Sequence, residues 1–194
     1  MIDIWVSLAP TENSDTIVQR ILDRYAHVSG SELQYARDAH QRPVVRGCND
    51  LRISVSHTKG ALLVALGARC RLGIDIELVG DRGLRNLWHH ALTGAELDDL
   101  ERHECVRRNE VFLGYWTRKE ALLKAAGVGL AVEPRLIELP PSRSSPHPIS
   151  VPETLGRAGD WSIVELDLSG YAAAVAVEMP EPQVPFSLIP DVET

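Results

Sequence analysis

The spacing of apolar residues along the chain predicts short strands interspersed with amphipathic helices. Apolar residues that alternate with polar ones, or that run together, indicate strands at residues 2–8, 33–36, 44–46, 52–56, 61–66, 71–77, 135–139, 161–167 and 171–178. Apolar residues at helical spacing indicate helices at residues 16–27, 84–91, 94–102 and 105–126. The proline-rich last stretch, residues 180–194, predicts a draped or disordered tail.

The order of these elements predicts an α+β fold, in which antiparallel hairpins pack against helices. The small Gly67-Ala68 step predicts one such hairpin between strands 61–66 and 71–77. Each half of the chain has strand-like sequence, one main helix and a hairpin at its end. We therefore expect two similar lobes related by a pseudo-twofold axis, each an antiparallel sheet packed against a main helix, with the active site in the cleft between them. The expected divisions are an N-terminal lobe at 1–72, a C-terminal lobe at 73–179 and a tail at 180–194.

The composition is ordinary for a soluble globular protein, with 44% hydrophobic and 24% charged residues. No apolar run is long enough to cross a bilayer, and the N-terminus lacks the basic start of a secretion signal. We therefore expect a cytoplasmic protein with no membrane partner. The three cysteines are widely separated and form no CxxC pair, which favours reduced thiols. The net charge of −7 argues against a nucleic-acid partner, because such proteins need a basic surface.

Three acidic residues could form a metal site. In the strand that contains Gly-Ile-Asp-Ile-Glu, Asp75 and Glu77 are two residues apart and therefore point to the same face. Such a pair is more often a solvent-facing strand side than a metal site. Glu120, on the predicted long helix, would add a third carboxylate, and an all-oxygen set of this kind suits Mg²⁺.

Basic groups near these acids could bind phosphate. Ser56 and His57 lie in a polar turn that is rich in hydrogen-bond donors, and Arg42 offers a planar fork that fits phosphate. Lys119 and Lys124 flank Glu120 on the long helix. Acids that hold a divalent cation beside bases that hold phosphate are the components of phosphoryl-transfer chemistry.

Four segments resemble those of the Sfp-type 4′-phosphopantetheinyl transferases in order and spacing. They are Arg42-Pro43, residues 53–58 (ISVSHT), residues 73–77 (GIDIE) and residues 116–124 (WTRKEALLK). The combination of the last two segments is specific, whereas either alone would be only suggestive. The resemblance extends from about residue 19 to residue 177, most of the chain.

The resemblance implies an enzyme that transfers the phosphopantetheine arm of coenzyme A to a serine of an apo acyl or peptidyl carrier protein and releases 3′,5′-ADP. It assigns Mg²⁺, or alternatively Mn²⁺, to Asp75, Glu77 and Glu120. It further implies that Glu120 acts as the general base and that Lys124 is a catalytic phosphate contact. A cytoplasmic monomer with its site between two halves is expected.

The expected contacts to coenzyme A are Arg20, Arg42, Ser56, His57, Lys119 and Lys124. The N-terminal region is shorter than is usual in the family, so only Arg20 and Arg24 stand near the place where the 3′-phosphate would bind. Arg42 occupies a position where lysine is common, a change that keeps the charge and alters the geometry.

Three alternatives stay open at the level of sequence. The shortened N-terminal region is compatible with a non-catalytic or weakly active homologue that binds coenzyme A or a carrier protein. A metal-dependent nuclease could use Asp75, Glu77 and Lys119, although the acidic net charge disfavours it. The basic cluster Arg102, His103, Arg107 and Arg108 is either a solvated helix end or a docking patch for an acidic carrier protein.

Overall fold

The computed structural model describes residues 2–29, 32–80, 83–179 and 186–190. The strands are β1 (Ile2–Leu8), β2 (Gln34–Arg37), β3 (Pro43–Arg46), β4 (Leu51–Thr58), β5 (Ala61–Ala68), β6 (Leu72–Leu78), β7 (Trp161–Glu165), β8 (Tyr171–Glu178) and β9 (Phe186–Pro190). The helices are α1 (Ser14–Ser29), α2 (Arg85–Ala91), α3 (Gly94–Arg102) and α4 (Arg108–Ala126). Short 3₁₀ turns connect several of these elements.

Two sheets carry the fold. The first has four strands in the order β4-β5-β1-β9, and the second has three strands in the order β6-β8-β7. All neighbouring pairs are antiparallel except β1 and β9, which run parallel with Ile2 opposite Phe186. A separate two-stranded hairpin joins β2 to β3.

The elements form four layers with three apolar cores between them. The inner faces of the two sheets pack together through residues such as Ile4, Ala65 and Ile74, all fully buried. Helix α1 covers the outer face of the first sheet, and α4 covers the outer face of the second. The α+β class is therefore confirmed, with a main helix on each sheet. The pseudo-twofold relation between the halves stays a prediction.

The edge strands β4 and β6 meet along a seam made by hydroxyl side chains. The backbone N–H of Ile74 donates to Ser54 Oγ at 3.1 Å, and that of Leu78 donates to Thr58 Oγ1 at 3.4 Å. These hydroxyls take the place of main-chain carbonyl partners for part of the edge of β6. The seam brings residues of β4 beside the acidic side chains of β6.

Gly73 allows β6 to approach α4 closely. A Cβ atom at this position would lie 2.1 Å from the carbonyl oxygen of Ala121 and 2.4 Å from the nitrogen of Ala125. Real Cβ atoms essentially never come so near to backbone atoms. Glycine is thus required at position 73, where β6 crosses α4, two residues before Asp75.

Four predictions about elements are wrong. Ser56 and His57 lie in β4, which continues to Thr58, and not in a turn. Strand β6 pairs with β8 and not with β5, because its apolar residues complete the core between the sheets. Residues 135–139 form no strand: Pro134 begins a 3₁₀ turn, and only Glu138 makes a bridge, to Ser150. The expected tail contributes β9 at 186–190, which extends the first sheet. The rest of the expected tail, 180–185 and 191–194, lies outside the described residues.

Two predicted helices are confirmed. The helix predicted at residues 94–102 is α3, and Thr93 and Glu96 form a complete capping box at its start. The long helix ends at Ala126, where Gly127 adopts the left-handed conformation (φ 70°), although the helix begins at Arg108 after a 3₁₀ turn at Cys105–Arg107. Among the residues that the structure describes, no helix is both long enough and apolar enough to cross a membrane.

Candidate active site

The acidic side chains of β6 face a common space beside α4. Asp75 Oδ1 accepts a hydrogen bond from Ser56 Oγ at 2.8 Å, and Glu77 Oε2 accepts one from Thr58 Oγ1 at 3.3 Å. Strand alternation thus places both acids on one face, as predicted, and the paired hydroxyls on β4 follow the same alternation.

Lys124 ties α4 to both strands at this point. Its ammonium donates to Asp75 Oδ1 at 2.7 Å, to Ser56 Oγ at 3.0 Å and to the carbonyl oxygen of Ile74 at 3.1 Å. Asp75 is buried, whereas one third of the Lys124 side chain is exposed. The lysine is therefore fixed at one end by the protein and remains open to the cleft.

Glu120 lies one helical turn before Lys124 and points into the same space. Burial raises the pKa of its carboxyl, and the nearby carboxylates of Asp75 and Glu77 raise it further, against an opposing effect of Lys124. Ionisation of Glu120 therefore costs free energy when no cation is nearby. A carboxyl with these neighbours is suited to accept a proton or to meet a positive ion.

The donor atoms fit a divalent cation. Asp75 Oδ2 and Glu120 Oε1 are both buried and have no hydrogen-bond partner among the described residues. Buried carboxylate oxygens without a donor are rare unless an ion or water satisfies them. The side chains are not preassembled, however, since no three His, Cys, Asp or Glu side chains in the described part of the chain stand close enough to hold a metal ion. A cation would need Glu77 and Glu120 to adjust around Asp75.

These groups open into a cleft of about 1320 Å³ between the second sheet and the N-terminal elements. Its walls are formed by Asn13, Ser14, Asp15, Thr16, Gln19, Arg20, Asp23, Tyr35, Arg37, Pro43, Val55, Ser56, His57, Asp75, Glu77 and Lys124. One end therefore carries the acids and Lys124, and the other end is built by α1 and the β2–β3 hairpin. A cleft of this size can hold an extended ligand that reaches from one end to the other.

A sequence model described as the 4′-phosphopantetheinyl transferase superfamily matches residues 71–176, more than half of the chain. The chain belongs to this superfamily. The matched region contains β6, α4 and the β7–β8 hairpin, and hence Asp75, Glu77, Glu120 and Lys124. The prediction of a phosphopantetheinyl transferase enzyme is confirmed at the level of family and enzyme class.

Two known proteins are similar to this chain. The chain is 29% identical over 167 residues to 4′-phosphopantetheinyl transferase HetI of Nostoc sp. strain PCC 7120, covering 83% of this chain and 67% of that protein. It is also similar to the crystal structure of Thermotoga maritima holo-[acyl-carrier-protein] synthase, with a TM-score of 0.48 and 23% identity. That similarity covers 58% of this chain and 65% of the synthase, slightly less than two thirds of its length.

The structure corrects one residue of this transferase's predicted coenzyme A site. Lys119 was expected beside phosphate, but its side chain is fully buried and its ammonium pairs with Glu96. Adjacent residues on a helix diverge by about 100°, so the lysine next to Glu120 points away from the cleft. Lys119 is therefore removed from the cofactor-binding set.

Two predicted arginines are paired within the protein. Arg20 lines the cleft and forms an ion pair with Glu12. The guanidinium of Arg42 pairs with Asp38 at 2.7 Å and donates to the carbonyl oxygen of Gly127 at 3.3 Å. Arg42 thus joins the β2–β3 turn to the end of α4, and its contact with coenzyme A stays a prediction.

Sequence reasoning missed Arg37 and Tyr35, which the structure brings into the cleft wall. The Arg37 guanidinium lies over the Tyr35 ring, 5.6 Å from its centroid, and pairs with Asp15 of α1 at 3.0 Å. The two residues lie two positions apart on β2 and therefore on one face of the strand. This spacing was the available signal in the sequence. A strand of four residues gives too short a pattern to say that its polar face meets a ligand cleft.

Proposed function

We propose that this protein transfers the 4′-phosphopantetheine arm of coenzyme A to a serine hydroxyl of an apo acyl or peptidyl carrier protein and releases 3′,5′-ADP. Membership of the superfamily supports transfer of phosphopantetheine to carrier proteins. The observation that carries the proposal for this chain is that Asp75 and Lys124 pair at one end of the cleft, with the carboxyl of Glu120 close enough to interact with both. We further propose a cytoplasmic monomer.

The reaction needs a base for the serine and positive charge for the phosphates. The serine oxygen forms a bond to phosphorus of the coenzyme A pyrophosphate, and the bond from that phosphorus to the oxygen of the departing 3′,5′-ADP breaks. In this proposal Glu120 accepts the serine proton, a role its raised pKa suits because a base works best near the operating pH. Lys124 keeps positive charge next to the transferred phosphate.

A divalent cation, Mg²⁺ or Mn²⁺, would be held by the carboxylates of Asp75, Glu77 and Glu120. When bound, it would neutralise the charge of the pyrophosphate. The unpaired buried oxygens of Asp75 and Glu120 support this assignment. The remaining contacts in the proposal come from His57 to phosphate, from Ser56 and Arg42 toward the nucleotide end, and from Arg20 toward the 3′-phosphate of coenzyme A.

Intact-protein mass spectrometry tests the function directly. The purified protein, coenzyme A and Mg²⁺ are mixed with apo carrier proteins from fatty acid, polyketide and nonribosomal peptide synthesis, and the carrier mass is followed. We expect the carrier to gain the mass of phosphopantetheine, and addition of EDTA to stop the gain because the acids then lack their counter-ion. A rate that EDTA leaves unchanged would remove the metal from the mechanism.

A non-catalytic or weakly active binding homologue is the second candidate. The observation that favours it is the pairing of Arg20 with Glu12 and of Arg37 with Asp15, which neutralises the arginines of the N-terminal cleft wall. Binding of coenzyme A by calorimetry, together with no mass gain on any of the carriers, would establish this second function instead.

Replacing Arg37 should weaken coenzyme A binding without slowing the chemistry. Its guanidinium lies in the cleft wall away from the acids, where it can exchange Asp15 for a phosphate of the ligand. A hydrogen bond to a charged group contributes about 1.5 kcal/mol, so Arg37→Ala should raise KM for coenzyme A about tenfold and leave kcat within about twofold. Arg46→Ala, at the exposed end of β3, is the matched control. Equal KM values for both variants would show that Arg37 does not contact the ligand.

A further inference from the structure

A buried ion pair stands directly behind the catalytic face of α4. Lys119 and Glu96 have side chains that are essentially inaccessible to solvent, and their charged groups are in direct contact. Lys119 precedes Glu120 in sequence, so this contact is made one residue away from the proposed base. Neither residue lines the cleft described above.

Each oxygen of the Glu96 carboxylate has a partner. Oε2 accepts from the Lys119 ammonium and from the backbone N–H of Thr93 at 2.8 Å, and Oε1 accepts from the backbone N–H of Leu139 at 2.8 Å. The Lys119 ammonium also donates to the carbonyl oxygen of Ala91 at 2.7 Å. The pair therefore connects α4 to the end of α2, to the cap of α3 and to the segment around Leu139.

Apolar burial on several sides leaves part of the task of fixing the rotation of α4 to directional contacts. Buried residues lie on several sides of the helix, among them Phe112, Tyr115, Leu122 and Ala125. Apolar contact is non-directional, so a helix covered on most sides can rotate slightly with little loss of buried area. The hydrogen bonds of Lys119 are directional and join α4 directly to the end of α2 and to Glu96 of α3.

A small rotation would matter for the chemistry. A carboxylate about 5 Å from the helix axis moves by about 2 Å when the helix turns by about 20°. A misplacement of about 1 Å can reduce a rate about 100-fold. A buried ion pair is also weak evidence for stability, because well-packed apolar residues often stabilise a fold equally well.

We propose that the Glu96–Lys119 pair is a positioning device, which fixes the rotation of α4 so that Glu120 and Lys124 face Asp75. Glu96 and Lys119 are thus positioning residues for the transfer reaction and do not touch the substrates. This inference rests on the proposed function, in which Glu120 is the base. It gives a role to Lys119, for which the sequence predicts a phosphate contact.

The test uses the uncharged double variant Glu96→Gln/Lys119→Met, because either single change would leave one buried charge without its partner. We expect kcat for carrier modification to fall about 30-fold or more, while KM and the calorimetric affinity for coenzyme A stay within about threefold. We also expect altered ¹H–¹⁵N NMR shifts for the amides of residues 74–77 of β6, which contacts α4 through Lys124 and contains neither substitution. A kcat within threefold of the wild type would overturn the proposal.

Two control variants separate positioning from general loosening. Thr117→Val removes a buried hydroxyl whose bond, to the carbonyl oxygen of Leu113, lies within α4 and cannot set its rotation. Ile163→Ala lowers stability from β7, away from the cleft. Both should keep kcat within about threefold. If Ile163→Ala loses as much kcat as the double variant at the same melting temperature, the pair has only a structural role.

Failure of the proposed function would look different. A wild-type protein that modifies no carrier would refute the transfer reaction, but the NMR shifts of β6 would still report whether the pair sets the helix. Unchanged shifts over residues 74–77 in the double variant would refute the positioning role, whatever the activity.

Discussion

Glu120→Gln should abolish carrier modification while leaving the protein folded. A general base contributes about 10²–10⁴-fold to a rate, and the amide of glutamine can neither accept the serine proton nor carry negative charge. The measurement is the initial rate of carrier mass gain at saturating coenzyme A. Glu110→Gln is the matched control, because Glu110 lies exposed on the same helix and pairs with Arg107. A Glu120→Gln rate within a few-fold of the wild type would show that the base is another group.

The same substitution should not lower stability at neutral pH without divalent cations. The folded-state pKa of Glu120 is raised, so the folded protein holds this proton more tightly than the unfolded chain does. Ionisation of Glu120 therefore costs folding free energy as pH rises through the raised pKa, and this cost vanishes below the ordinary carboxyl range. Glutamine avoids the cost, so the melting temperature in EDTA at pH 8 should equal or exceed that of the wild type.

The pH dependence of the wild-type rate follows from the same shift. Because the base must be ionised, the transfer rate should fall as pH is lowered through a midpoint above the ordinary pKa of a glutamate. A midpoint at or below that ordinary value, measured at low cation concentration, would contradict the assigned role.

Gly73→Ala should have the largest effect on stability of any single methyl group added to the second sheet. The new Cβ would lie 2.1 Å from the carbonyl oxygen of Ala121 and 2.4 Å from the nitrogen of Ala125, so β6 and α4 must move apart. Overpacking of this kind costs about 1–3 kcal/mol, and more when only backbone can yield. The movement would also separate Asp75 from Lys124, so carrier modification should be lost.

Urea denaturation measures the free energy of unfolding of Gly73→Ala and of its control, Gly114→Ala. Gly114 lies within α4, and a Cβ there would meet nothing within 4 Å. Alanine is favoured over glycine in a helix by about 0.8–1 kcal/mol, so Gly114→Ala should be at least as stable as the wild type. Equal stability of the two variants would show that β6 and α4 can accommodate a side chain where they cross.

Local patterns were sufficient for part of the site. Alternation on a strand places Asp75 and Glu77 together, and helical spacing places Glu120 and Lys124 on one side of α4. Those rules act over a few residues, and they hold in the structure. The roles of these residues in catalysis and metal binding stay predictions.

The failures involve contacts between distant parts of the chain. Helical spacing shows that Lys119 diverges from Glu120, but it cannot reveal that Glu96 covers that side of α4. Strand β9 has a weak pattern of its own and forms by pairing with β1, which lies at the other end of the sequence. Likewise, the apolar alternation of β6 fits pairing with either β5 or β8, and the sheet-to-sheet core decides between them.

The hydroxyl seam between β4 and β6 is a weak boundary next to the cleft. A main-chain ladder resists separation along its whole length, whereas this boundary relies on side chains such as Ser54 and Thr58, each forming bonds that contribute about 1 kcal/mol. The wall of the site that contains Ser56 is therefore joined to the wall that contains Asp75 by side-chain bonds, among them the one between these two residues. A ligand that binds to both walls would add bonds across this boundary and so hold the two sheets together more firmly.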